Sequence, residues 1–539
     1  MAFLRSRGDL VLNGDTYQLA TAHLRGLLPV SLRETLGHSL HRVGAAKHTA
    51  QLAAALGREF DPELLAQIAP CDDVTLHAHL QTLLSVGLVS RCRQVGDAHY
   101  IFKHALLRTA AYDSMPRAAR EQAHGRIAAA LEARLCASGQ GEQGVLAHHH
   151  AAAAQYEQAL HWSGQATEQA LQRALYDAAL DLIAEAEPWL EQLPRSRRQG
   201  PELRLYRLKI SALMARHGWA NERVRNTANR AHQLALRSTN AEHTPALLWS
   251  LATYHHVASH RREVRQIVAQ LYNRQSASSE ERIAALVLAG SAAWIDGHYG
   301  LAREHLQQAV ALPRSSQRVE QTLLYGLDCG IWAQSVLACV TWFTHTDDSL
   351  AHGLAADAVR QARELDHVPS LGLALMYQAY IHQYAGDLQQ TAQVCGQLVE
   401  LATTYGLPAY GAYGELIQSW TQASFARASR TIDQLRQLGC LLGHTYFHGL
   451  MADIQSHQGH QAEALSLCNS GLALCDELGE RYYQPELLRL KARVLSRQGA
   501  QRNATEIADT LQQACALAEQ MQMSRSRRDA QKDMSNLFH

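Results

Sequence analysis

Thirty histidines in a chain of 539 residues make metal binding the first chemistry to consider. The densest cluster is the run His148, His149 and His150. Successive residues on a helix lie about 100° apart, so three neighbours diverge and cannot share one ion. His256 and His260 have the i, i+4 spacing that can chelate, but loop signals lie close by and no third ligand accompanies them. All five are expected to be core or solvated histidines. The ten cysteines are scattered without a C-x-x-C pair, which implies neither a disulfide framework nor a zinc knuckle. Cys329 and Cys339 fall in an apolar stretch, where a thiol behaves as a small hydrophobe.

Phosphate and nucleophile chemistry fare no better. The sequence has no G-x-x-x-x-G-K-[ST] cradle, no H-R-D-type run and no G-x-S-x-G elbow. Glu480, Arg481, Tyr482 and Tyr483 form a polar–aromatic group that could hold a ligand. A helix starting at Pro485, with both tyrosines packed between hairpins, accounts for the same residues. No catalytic, cofactor-binding or metal-binding residue is assigned, and no cofactor is expected.

The elements that would position any site are helical. The segment from Ile283 to Pro313 places Leu286, Ala289, Gly290 and Ala293 on one helix face. Gly297 breaks that helix, and a second carries Ala302, Leu306 and Ala309 inward before Pro313 ends it. Small residues at 290, 302 and 309 let two antiparallel helices approach closely, with Leu306 filling the gap, at the spacing of a tetratricopeptide hairpin. One hairpin cannot bury its own apolar face, so neighbours of the same kind are required. Turn signals recur at Gly218, near His260, at Gly297, near His345, at Gly386, near Ala426, and at Gly459 and Gly499. Their spacing drifts between roughly 34 and 48 residues, as in an irregular repeat superhelix. Trp249, Trp294, Trp332, Trp342 and Trp420 sit in these helices and are expected to fill its core.

Composition agrees. Apolar residues make up 47% and charged residues 19%, and Lys+Arg equals Asp+Glu at 50 each, so no net field draws the chain to nucleic acid or an anionic membrane. No apolar core long enough for a signal peptide follows Met1. The run from Gly326 to Phe343 contains Asp328 and Gln334 and suits a buried helix better than a membrane span. A soluble, cytoplasmic protein is expected.

Ahead of the repeats, Asp9 to Ala20 predicts a hairpin around an Asn-Gly turn. Ser31 with Glu34 predicts a capping box for a helix carrying Leu32, Leu36, Leu40 and Val43. A helix from Ala45 to Leu56 stops at Gly57, Asp61 and Pro62 start a short one, and another runs from about Asp73 to Val86. A hairpin turning near Gly96–Asp97 follows, then the amphipathic stretch Arg117 to Leu135. Helices followed by a β-hairpin are the order of a winged-helix domain. The recognition position, DVTLHAHLQTLLSVG, has no Lys or Arg to meet phosphates, and Arg91, Arg93, Lys103 and Arg108 are scattered, which argues against nucleic acid.

The phrases LLPVSLRETLGHSLHRVG, AAKHTAQLAAALGREFDPELL and YIFKHALLRTAAYDSM, with VLAHHHAAAAQYEQALHWSGQATEQAL, GLDCGIWAQSVLACVTWF and GERYYQPELLRLKARVL further on, occur in one order. Together they resemble the region that follows the ATPase module in bacterial STAND-type "predicted ATPase" signalling proteins, relatives of class III adenylate and guanylate cyclases and of kinase–cyclase fusions. The resemblance implies a mainly α chain: 1–30 a remnant of an upstream ATPase module, 31–137 a winged-helix-like domain, 144–523 a tetratricopeptide-like α-α superhelix, and 524–539 a tail with a basic cluster at Arg525, Arg527 and Arg528. It implies a non-catalytic regulatory region that receives a protein partner or ligand on the concave face of the superhelix, with a cognate ATPase, cyclase or kinase module as the candidate partner. The alternatives are a free-standing scaffold and a winged-helix transcriptional regulator.

Overall fold

The computed structural model describes residues 10–13, 16–19, 43–93, 98–138, 141–237, 244–274, 277–501 and 503–537, and the chain divides into two compact units, Met1–Trp162 and Ser163–His539.

In the first unit, β1 (Leu10–Asn13) pairs antiparallel with β2 (Thr16–Leu19), in the register Asn13↔Thr16 to Leu10↔Leu19. The helix expected from Ser31 and the turn expected at Gly96–Asp97 lie outside the described residues. From Lys47 the local rules are visible. The helix Lys47–Leu56 ends at Gly57, whose φ of +153° suits glycine. Asp61 caps Pro62–Ile68 by accepting the Glu63 N–H at 2.8 Å, and Asp72 caps Asp73–Ser85 by accepting that of Thr75 at 2.8 Å. β3 (Glu59–Phe60), β4 (Val89–Arg93) and β5 (Ala98–Phe102) form one antiparallel sheet in the order β3-β5-β4. Phe60 stacks on Tyr100 across it, ring centroids 5.7 Å apart. β3 is too short for alternation to announce it. Leu52, Leu65, Leu83, Phe102 and Ile127 fill the core between sheet and helices.

This unit runs on to Trp162. The cause lies on the helix Arg117–Ser138. His124 on that helix meets His149, and Glu132 accepts the Trp162 indole N–H at 2.8 Å and lies 3.1 Å from His150. The helix Gln143–Ala152 therefore packs backwards, onto the first unit.

Among the described residues of the second unit, helices pair as antiparallel hairpins. The pairs are Arg195–His217 with Glu222–Ala235, Thr244–Val257 with Arg261–Tyr272, and Ser279–Ile295 with Tyr299–Ala311. Then come Cys329–Thr344 with Asp348–Leu365, Val368–Tyr384 with Leu388–Tyr405, and Pro408–Thr421 with Phe425–Gln437. His444–His457 with Gln461–Leu478 and Gln484–Gly499 with Ala504–Gln520 complete the array. From Thr244 on, first helices are buried almost all round, Cys329–Thr344 entirely so, while second helices bury one stripe and expose the other. No single helix among the described residues is long and apolar enough to cross a membrane.

The hairpin at 283–313 packs as its spacing predicts. A Cβ on Gly290 would sit 2.6 Å from Leu306 Cγ and 3.3 Å from the Ala302 carbonyl oxygen, so only glycine lets these helices touch. Left-handed residues mark the turns inside most hairpins: Gly218, Ser259, Gly297, Gly386, Ala423 and Gly459. Ser259 and Ala423 take that conformation without glycine's freedom, at a cost of about 1 kcal/mol each.

The array also closes on itself. The N–H groups of Leu441 and Leu442 both donate to the Val257 carbonyl at 3.0 Å, and those of Arg481 and Tyr482 to the Ile295 carbonyl at 2.8 and 3.2 Å. The Tyr299 hydroxyl donates to the Tyr482 carbonyl, and Arg525 Nε to that of Trp342, each across 183 residues of sequence. Loops between late hairpins thus satisfy the free C-terminal carbonyls of early first helices. The segment expected as a tail is part of this closure. Ser524–Leu537 is a helix, and Arg525 is buried, because it reaches the carbonyls of Trp342 and His345 and pairs with Asp348.

Candidate functional site

The histidines separate as helical geometry demands. His148 is exposed, whereas His149 and His150 are buried. His149 Nδ1 lies 2.8 Å from His124 Nδ1, and His150 lies between Gln155 and Glu132. Burial, then the neighbouring imidazoles, lowers the pKa of His149 to about 3 and contributes to lowering that of His124 to about 4, so both are neutral at pH 7. His256 is buried against Arg261 while His260 meets His255, so the i, i+4 pair does not converge either. Among the described residues no group of three or more His, Cys, Asp or Glu could hold a metal. Cys329 and Cys339 are buried in Cys329–Thr344, and burial pushes both thiols well up.

The group at 480–483 has a larger role than a helix start. Glu480 is completely buried. Its Oε1 accepts the Gly443 N–H at 2.9 Å and the Ser259 hydroxyl at 3.0 Å, and its Oε2 accepts the Thr445 hydroxyl at 3.2 Å. One carboxylate thereby joins three loops, the Ser259 turn lying 221 residues away. Burial raises its pKa, against these donors and the field of Arg261. It is a latch of the closure.

The chemistry of the inner face is divided between two cavities. The first, of about 70 Å³, is lined by Trp219, Trp294, Trp332, Tyr377, Tyr410 and Tyr482 among others. It is an aromatic space. Trp249 packs edge-on against Trp332 and Trp219 at 6.0 Å, and Trp294 lies 4.7 Å from Tyr482. The Trp332 N–H lies beside the Tyr377 hydroxyl and the Trp219 N–H beside that of Tyr410, yet the Trp332 N–H and Tyr410 hydroxyl stop short of a well-formed hydrogen bond.

The second cavity, of about 400 Å³, is polar. Seven helices supply it: Trp342 and Phe343 from Cys329–Thr344, Gln383 and Tyr384 from Val368–Tyr384, Trp420 from Pro408–Thr421, Asp453 and His457 from His444–His457, Glu486, Arg489 and Arg493 from Gln484–Gly499, Arg525 and Asp529 from Ser524–Leu537, and Asp348 from Asp348–Leu365. The first three also line the aromatic cavity through Trp332, Tyr377 and Tyr410. An aromatic cluster lies among them: Tyr384 stacks on Tyr483, Tyr446 lies 5.1 Å from Tyr483, and Phe343 lies 5.0 Å from Tyr384.

Most charges in the polar cavity are already matched. Arg489 holds Glu486 at 2.6 Å and Asp533 at 3.0 Å, with Asp529 at 3.8 Å. Burial lowers its pKa, but these three acids outweigh it and leave the guanidinium more firmly protonated than usual. Arg525 pairs with Asp348 and lies 4.1 Å over the Trp342 ring. Asp453 accepts the Trp420 indole N–H at 2.8 Å and lies 3.5 Å from His457. Arg493 is exposed and makes no hydrogen bond or ion pair with the described residues. No sequence pattern links Asp453, Arg493, Arg525 and Trp342. Folding brings them together.

No protein-family model matches this chain. An uncharacterized protein of Rhizobium meliloti (strain 1021) is 23% identical over 524 residues, which cover 92% of this chain and 49% of that protein. The chain therefore spans about half the length of this curated relative. Among solved structures, a Rap protein complexed with competence and sporulation factor is similar over 70% of this chain and 97% of its own, with 11% identity and a TM-score of 0.43. A STAND protein with a tetratricopeptide repeat sensor from Pyrococcus horikoshii covers 93% of this chain and 68% of its own, with 8% identity and a TM-score of 0.29. Scores this low carry no argument about this chain.

Proposed function

We propose that this chain is a non-catalytic regulatory region: a winged-helix-like unit followed by a tetratricopeptide-like array that receives a protein partner or ligand on its inner face. The observation that carries the reading is the charged cavity, to which seven helices of the array contribute and which offers charged groups of both signs beside indole and phenol rings. A concavity on which polar side chains converge to orient a ligand is a form that binding sites take. The element order of helix, β3, two helices and the β4–β5 hairpin supports the winged-helix assignment. The sequence resemblance supports a bacterial STAND-type ATPase or cyclase as the protein it regulates, and a cytoplasmic setting.

Regulation of this kind requires the occupied and empty arrays to differ in free energy of contact with the catalytic module. The test is to add this chain in trans to a P-loop ATPase–cyclase half encoded beside it, and to follow nucleotide turnover. A saturable change in rate is expected. Unchanged turnover at saturating chain would overturn the reading, and hydrolysis of ATP by the chain alone would replace it with an enzymatic one.

A further inference from the structure

The internal ion pairs of the charged cavity leave a specific remainder. Asp348 is matched by Arg525, and Glu486 and Asp529 by Arg489. What is left is one cation, Arg493, without a partner among the described residues, and one carboxylate, Asp453, with spare acceptor capacity. An ionised carboxylate has about four lone-pair sites, and the Trp420 N–H uses one. Asp453 and Arg493 stand on successive first helices, His444–His457 and Gln484–Gly499, and both act on the hydroxyl of Tyr483.

From this residue balance we infer that the charged cavity binds a small dipolar ligand of the amino-acid type, bearing an ammonium group for Asp453 and a carboxylate for Arg493. A purely anionic ligand would gain Arg493 but face Asp453, and a purely cationic one meets the reverse. A dipolar ligand satisfies both. Arg493 offers the planar fork that grips a carboxylate through two parallel N–H groups. The rings of Trp342, Tyr384, Trp420 and Tyr483 offer faces to an ammonium or an apolar side chain. A volume of about 400 Å³ accommodates a free amino acid or a short peptide. The ligand is thus the small-molecule signal of the regulatory reading given above, on which this inference rests.

Thermal unfolding of the full chain tests it with three probes: an equimolar mixture of the twenty amino acids, a mixture of random tripeptides with free termini, and the same tripeptides N-acetylated and C-amidated. A rise in Tm of a few degrees with the first or second probe, and none with the third, is expected for a ligand that binds only the folded state. A response to amino acids places the source among free metabolites, and a response to tripeptides alone places it among peptides. Arg493→Gln and Asp453→Asn should each weaken the response at least tenfold while leaving the unliganded Tm unchanged, since Arg493 is unpaired and asparagine keeps an acceptor for Trp420. No shift with either free-termini probe, an equal shift with the capped peptides, or a shift that survives both substitutions would overturn the inference. None of these readings depends on nucleotide turnover, so the inference can fail while the regulatory reading stands.

Discussion

Two cavities lie against the same three helices, Cys329–Thr344, Val368–Tyr384 and Pro408–Thr421, and differ in almost every physical respect. The aromatic one is small and edged by tryptophan and tyrosine whose polar atoms are buried. The charged one is several times larger, and most of its ions are paired in advance. The contrast teaches how a repeat array divides labour along its inner face. Where the superhelix closes, the face is spent on packing; beyond the aromatic cluster of Tyr384, Tyr446 and Tyr483, it stays polar and open to a ligand.

The comparison can be broken most severely on the packed side. Trp332→Ala removes a large ring beside an existing void, and should cost about 3–5 kcal/mol in denaturant unfolding. A loss below about 1 kcal/mol would mean that the aromatic half is not the core of the closure. Gly290→Val forces methyl groups into Leu306 and the Ala302 carbonyl, and about 3 kcal/mol is expected from overpacking, measured the same way.

The latch gives a smaller effect with a defined sign. Glu480→Gln presents an amide N–H to donors on one side, and should cost about 1–2 kcal/mol. Because burial raises the folded pKa of Glu480, the folded state holds a proton that the unfolded state has released over the window from the ordinary carboxylate value up to the raised one. Its contribution to stability is therefore full below that window and falls as pH rises through it. Stability-against-pH curves of wild type and Glu480→Gln should differ by that slope, and parallel curves would remove Glu480 from the account. On the open side, Arg493→Gln should change stability by less than about 0.5 kcal/mol, because an exposed, unpaired side chain holds nothing in place. A larger loss would show that the charged cavity, too, is structural.

How much of this was legible follows from sequence distance. The contact of Gly290 with Ala302 and Leu306 is local, so spacing alone announced it. Asp61 and Gly57 announced their helix ends for the same reason. The turns at Ala154 and Ala174 gave no glycine signal, because both use alanine with positive φ. The roles of Glu480 and Arg525 could not be read because their partners lie 221 and 183 residues away, where periodicity has no reach. Asp453 and Arg493 were invisible for a related reason. Their meaning lies in which neighbouring charges are already paired, and only the folded chain fixes that.

The central claim is that the charged cavity is where this array is read. It is tested most directly by nucleotide turnover of the partner ATPase–cyclase half in the presence of the chain, with and without the free-termini amino-acid and tripeptide mixtures. The account predicts that adding the mixtures changes turnover with the wild-type chain and leaves it unchanged with the Asp453→Asn, Arg493→Gln double variant. An equal response from both chains, or none from the wild type, would contradict it.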